Sequence, residues 1–205
     1  MQGHRTMAIK SNAGPVNGRD VVRQALAARM PQAKNFSTPL GGAPQTGSPV
    51  PFYHLSLAQL DSADPLASAT ITGWRYPVVG GINPGLVDVR EGSGVSSATF
   101  GGLIHGIMVQ RFMQASLLAE QTLASETDVY QPRLLDVPAL QFAALWLHGT
   151  STNYFISLLD GHPPGSAPLV LVRDVLPDLR ARAAARTAAT AHPTGGAAPR
   201  GTPTN

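Results

Sequence analysis

Apolar and polar positions change texture four times along this chain. Residues 1–18 show no period, and their Gly14-Pro15 and Asn17-Gly18 pairs are turn chemistry. Arg19–Met30 (RDVVRQALAARM) then places Val22, Ala25, Leu26 and Met30 on one helical stripe, with Pro31 as a stop. A helix of that length is marginal alone and needs a surface to lie on. Asn35–Pro51 is a Pro/Gly/Ser linker by composition. From about Thr187 onward the Ala/Thr/Pro/Gly composition does not support a core. The expected organisation is therefore a flexible basic arm at 1–47 with a short helix at about 19–30, a domain at 48–180, and a disordered tail at 181–205.

Within the domain, Phe52–Leu57, Ala69–Gly81 and Leu86–Arg90 read as three strands in meander order. Pro77 belongs at an edge or bulge of the second. The stretch from Ser96 to Ser125 reads as one long helix, presenting Phe100, Leu103, Ile104, Ile107, Met108 and Phe112 on a broad face, with Ser96 or Ser97 as its N-cap. Gly101, Gly102 and Gly106 each cost such a helix about 1 kcal/mol against alanine, which suits close packing on a sheet. Val129–Val137 is the next strand. Pro138–His148 fits strand or helix by propensity; the polar loop Gly149–Thr152 and the β-rich Asn153–Leu158 favour a hairpin. Its natural register sets His148 opposite Asn153, Trp146 opposite Phe155 and Leu145 opposite Ile156. Leu169–Val172 adds a last strand before a short basic helix with Pro177 in its first turn.

The fold class that follows is α+β. An antiparallel sheet of about five or six strands, in β-β-β-α-β-β-β order, carries one long helix across one face, between flexible basic termini. Both faces of the hairpin are apolar, so the second face must be covered by the terminal helices or by another chain. Val22, Leu26, Met30, Leu145, Leu147 and Ile156 are the residues expected at such an interface.

Composition narrows the functions. The chain has no cysteine, so disulfides, thiolate metal sites and cysteine nucleophiles are excluded. Charged residues make up 13%, about half the usual share. They are unevenly placed: residues 1–35 hold six cations against Asp20 alone, residues 36–175 five arginines against ten carboxylates, and residues 176–205 four arginines against Asp178. No apolar run approaches membrane-spanning length and the first residues lack a secretory apolar segment, so a soluble, cytoplasmic chain is expected. The basic ends could neutralise nucleic-acid phosphates, weakly, because their charges are few and spread out. In that reading Trp74, Arg75 and Tyr76 are the domain's stacking platform.

Catalytic chemistry has thin support. The six histidines include no pair at helical metal-ligand spacing, so no metal or other cofactor is expected. Gly94–Ala98 (GVSSA) departs from the nucleophile-elbow pattern GxSxG only in its last residue, between a strand and a helix. Ser96 would then be the nucleophile, with Asp136 or Asp160 and His148 or His162 as partners. The meander order argues against it, since that elbow sits in a βαβ array, and a glycine-serine turn ahead of a helix is an ordinary N-cap. The expected function is a non-enzymatic protein interaction or assembly module, forming a homo- or hetero-oligomer. Nucleic-acid binding through the arms is the alternative, and a serine hydrolase the further one.

Overall fold

A computed structural model describes residues 8–29, 44–80, 84–91, 98–159, 163 and 166–191. The architecture is mixed α+β, with five α-helices and a sheet of nine strands among the described residues rather than five or six strands. The elements run α1 (Gly18–Arg29), β1 (Gln45–Thr46), β2 (Val50–His54), α2 (Leu57–Leu60), α3 (Pro65–Ser68), β3 (Thr70–Val79), β4 (Gly85–Glu91), β5 (Ala98–Ile104) and α4 (Ile107–Thr122). They continue with β6 (Gln131–Val137), a 3-10 turn (Pro138–Leu140), β7 (Phe142–His148), β8 (Asn153–Ser157), β9 (Leu169–Leu171) and α5 (Val172–Ala191).

Strand order is β5-β4-β3-β2-β6-β7-β8-β9, with the two-residue β1 also on β3. All pairs are antiparallel except β2–β6, which run parallel with Phe52 beside Leu134 and His54 beside Asp136. This order is a palindrome of two chain segments. β2, short helices, β3, β4, β5 and α4 form one; β6, the 3-10 turn, β7, β8, β9 and α5 form the other. An approximate twofold along the two parallel central strands relates them. Such an axis exchanges the faces of the sheet, and accordingly α4 and α5 lie on opposite faces.

Side-chain alternation sorts the core onto those faces. Val109, Phe112, Ala115 and Ala119 of α4 pack with Leu134, Leu145, Leu147 and Ile156. Leu179 and Ala183 of α5 pack with Leu135, Ala144, Trp146 and Phe155. Farther along that second face, Val22 of α1 closes over Tyr76, Val78, Val87 and Val89. Of the two covers expected for the second face of the hairpin, a terminal helix of this chain or another chain, the structure shows the first, in α5.

Three sequence expectations are corrected. The long helix from Phe100 is two elements: Ala98–Ile104 is strand β5, and α4 begins only at Ile107. Gly106, at φ +95, makes the break, a conformation that penalises any other residue. The second correction concerns the tail: α5 continues to Ala191, ten residues past the expected boundary at 181, and Pro177 sits inside it rather than in the first turn. Arg180 donates to the Leu60 and Ser62 carbonyls at 2.9 and 2.7 Å, and Arg182 to Leu140 at 2.8 Å, anchoring a segment whose composition alone forms no core. Third, the N-terminal arm joins the fold. Ile9 bridges Tyr130, and α1 lies on β4 and β5. Pro77 is in an inner strand, opposite the break between β1 and β2, where its missing N–H leaves no ladder bond unmade.

Candidate functional site

The β7–β8 hairpin forms in the register expected, with Leu145, Trp146 and His148 opposite Ile156, Phe155 and Asn153. On the α5 face this register gathers a polar network at the hairpin's turn end. Trp146 Nε1 donates to Asn153 Oδ1 at 3.0 Å, and His148 Nδ1 stands 2.9 Å from the same oxygen. An indole N–H only donates, so the Asn153 atom facing it is the oxygen. His148 Nδ1 must therefore carry a proton, which leaves Nε2 as its free position. The His148 and Trp146 rings meet edge-on, centroids 5.3 Å apart.

Arg133, cross-strand partner of Trp146 on β6, completes the group. Its guanidinium lies 4.6 Å from the Trp146 ring centroid and 5.3 Å from that of Tyr53 on β2. Tyr53 and Trp146 meet edge-on at 5.5 Å. Stacking satisfies the flat faces of the cation and leaves its in-plane N–H groups; one reaches Gln131 Oε1 at 3.4 Å. Arg133 makes no ion pair among the described residues. Burial pulls its pKa below the usual arginine value, the only opposing influence being Tyr53.

The α4 face carries a different row. Asp88 is 8% exposed and lies 3.3 Å from Arg75 Nε and 3.4 Å from Arg90 Nε. Arg75 also stacks over Phe52, 4.4 Å from its centroid. Burial pulls Arg75 down, and Asp88 opposes that shift. Asp136, beside His54 in the parallel pair, is raised by burial, with His54 and Arg75 opposing.

The residues singled out in the sequence are thus distributed as follows. His148 pairs with Gln131, and Asp136 lies five residues farther along β6 on the opposite face, about 16 Å of strand away. The sheet does not bring those two together. Ser96, Asp160, His162 and Met30 lie outside the described residues. Val22, Leu145, Leu147 and Ile156 are at most 1% exposed within the chain's own core, and Leu26 packs against the Val22 cluster. Trp74 and Tyr76 face α1 while Arg75 faces the other way, so the three form no common platform. Arg180 and Arg182, part of the basic C-terminal segment, are engaged on backbone carbonyls. Arg133 and Tyr53 went unnoticed in the sequence. Their signal was alternation: in QPRLLDV, Arg133 shares a parity with Leu135 and Val137, which marks a cation on an otherwise apolar face.

Among the described residues no cluster of histidine and carboxylate ligands is arranged for a metal, and no helix is long and apolar enough to cross a membrane. Comparison with protein-family models, with curated proteins and with solved structures finds no match.

Proposed function

We propose that this chain is a protein-assembly module that pairs with a second copy of itself through strand β5. The observation carrying this reading is the contrast between the two ends of the sheet. At one end β9 has three residues and runs directly into α5, a short edge of the kind that resists further pairing. At the other end β5 has seven residues, none charged, and no strand on its outer side among the described residues. Exposed edges ordinarily carry charge to prevent pairing. Ile107, just beyond the strand, is 53% exposed.

The bulge in β5 at Gly101 has an internal cause and does not mark a blunted edge. The Asp88 carboxylate occupies the space that a side chain at 101 would need. An uncharged strand pairing antiparallel with its own copy is self-complementary about a twofold and brings no like charges of β5 together. With both faces covered by α1, α4 and α5, the edge is the surface left for main-chain recognition.

Sedimentation velocity on the full chain tests this. The expected result is a dimer at micromolar concentrations that Gly102→Lys converts to monomer and Gly102→Ala leaves intact. Residue 102 suits the purpose because an added Cβ there meets nothing within 4 Å. A monomeric wild type, or a dimer indifferent to Gly102→Lys, would overturn the reading.

A further inference from the structure

The hairpin network points to a ligand independent of any assembly. We propose that Arg133, His148 and Asn153 form a binding site for a phosphate-type oxyanion on the α5 face of the sheet. Three features of the geometry converge on that class of ligand.

First, Arg133 is a cation with no ion-pair partner among the described residues. Surface arginines ordinarily find a carboxylate or extend into water, and this one is half-buried against Tyr53 and Trp146. The stacking fixes the plane of the fork before any ligand arrives, so little side-chain entropy remains to be lost on binding. Asp88 and Asp136, the carboxylates nearest in the sheet, belong to the opposite face.

Second, the donors around Arg133 are already oriented. Asn153 Oδ1 accepts from both Trp146 and His148, which turns the asparagine amide so that its two N–H groups are the part left to offer. Holding Nδ1 protonated presents His148 through Nε2, which donates once the ring is charged. His148 and Arg133 are diagonal neighbours across β6 and β7, about 7–8 Å apart at Cα. That separation exceeds what one carboxylate bridges while also forming a fork with arginine. A tetrahedral anion with oxygens in several directions matches it better.

Third, the site keeps access to solvent. α5 starts at this end, at Val172 just past the Leu171–Tyr154 pair, and runs away from it to anchors at Leu60, Ser62 and Leu140, toward the Val137–Phe142 end of β6 and β7. The Arg133 group lies toward the opposite end, where Gln131 pairs with His148, and Arg133, Tyr53, His148 and Asn153 all keep partial exposure. Trp146, 1% exposed, forms the floor.

The test is an NMR titration of the full chain with inorganic phosphate at constant ionic strength and constant pH, following the Trp146 indole N–H and the His148 ring. Acetate at matched ionic strength serves as the carboxylate comparison. Expected are saturable shifts at both residues with phosphate and much weaker ones with acetate. Arg133→Gln should abolish saturation, and Arg133→Lys, which keeps charge but loses the planar fork, should weaken it. His148→Gln retains a donor toward Asn153 and removes the ring Nε2; it should lower affinity about tenfold, the loss of one hydrogen bond. An unchanged hairpin spectrum in the free variants separates lost binding from lost structure. Unsaturable shifts, an equal response to acetate, or saturation that survives Arg133→Gln in a folded protein would overturn the site.

Discussion

The Asp88 carboxylate and the bare backbone of Gly101 share one space: a Cβ at position 101 would land on the carboxylate oxygen. Asp88 is held there by Arg75 on β3 and by Arg90 on its own strand. Gly73, on β3, brackets it from the other side, since a Cβ there would crowd the Val89 carbonyl at 2.9 Å. A buried carboxylate between two guanidiniums thus depends on the missing side chain at position 101. Gly101→Ala should destabilise the fold by about 1–3 kcal/mol, the range for overpacking a filled site. Gly102→Ala, one residue away and in open space, should be close to neutral. Urea denaturation of the pair reads the difference directly, and equal midpoints would mean that Asp88 simply moves aside.

Gly101 and Gly106 explain where the sequence misleads. In the pattern Phe100, Leu103, Ile104, Ile107 the apolar spacing is helical, and three glycines counted only as a tolerable penalty. Two of them are needed where they stand: Gly101 for Asp88, and Gly106 for a positive φ between strand and helix. Both requirements arise from partners distant in sequence or from a chain reversal, and periodicity carries neither. The β7–β8 hairpin was legible because its signals are local, a polar loop between two β-rich runs with a single register that matches aromatic to aromatic. Pro138–His148 was ambiguous for a physical reason: it contains both a 3-10 turn and a strand, separated by Gln141 at φ +50. The candidate site was half legible. His148 and Asn153 followed from the register, whereas Arg133 and Tyr53 reach it through the β6–β7 and β2–β6 pairings. The parallel pairing joins strands nearly eighty residues apart, and no local pattern announces it.

Packing of α1 gives the second prediction. Val22 is fully buried against Val87 and Val89, themselves 0% exposed, so the N-terminal helix is part of the core and not an appended arm. Val22→Ala should lower stability by about 1–2 kcal/mol, the transfer of two methyl groups with a small cavity. Cutting the chain to residues 48–180 removes α1 and the second half of α5 together. That fragment should expose Tyr76, Val87 and Val89, bind a hydrophobic dye and aggregate. A soluble fragment with the full-length unfolding midpoint would show that the terminal helices contribute nothing.

The last prediction concerns acid. Asp128 stands before β6, and its carboxylate organises the β7–β8 loop across more than twenty residues of sequence. The Thr150 hydroxyl donates to Oδ1, and the Ser151 N–H and hydroxyl donate to Oδ2 at 3.2 and 2.9 Å; the Val129 N–H adds a bond at 2.9 Å. The Thr150 hydroxyl is the largest influence, with the Ser151 and Val129 donors behind it, and together they hold the Asp128 pKa far below the ordinary carboxylate value. Every one of these donors prefers the ionised form. A depressed folded-state pKa means that the stabilisation is complete above the unfolded value of about 3.9 and is lost as pH falls through the folded one. Asp128→Asn keeps the shape, removes the charge and loses the best acceptors. It should lower the melting temperature at pH 7 and flatten the acid side of the stability curve below about pH 4, where the wild type declines. Thermal melts of both proteins from pH 2 to pH 7 make the comparison. Parallel curves, offset but equal in slope, would mean that the loop is held by its backbone alone and that the carboxylate is a bystander. Because this loop joins Trp146 and His148 to Asn153, the same titration should loosen the Trp146 indole N–H at low pH in the wild type, earlier than the core unfolds.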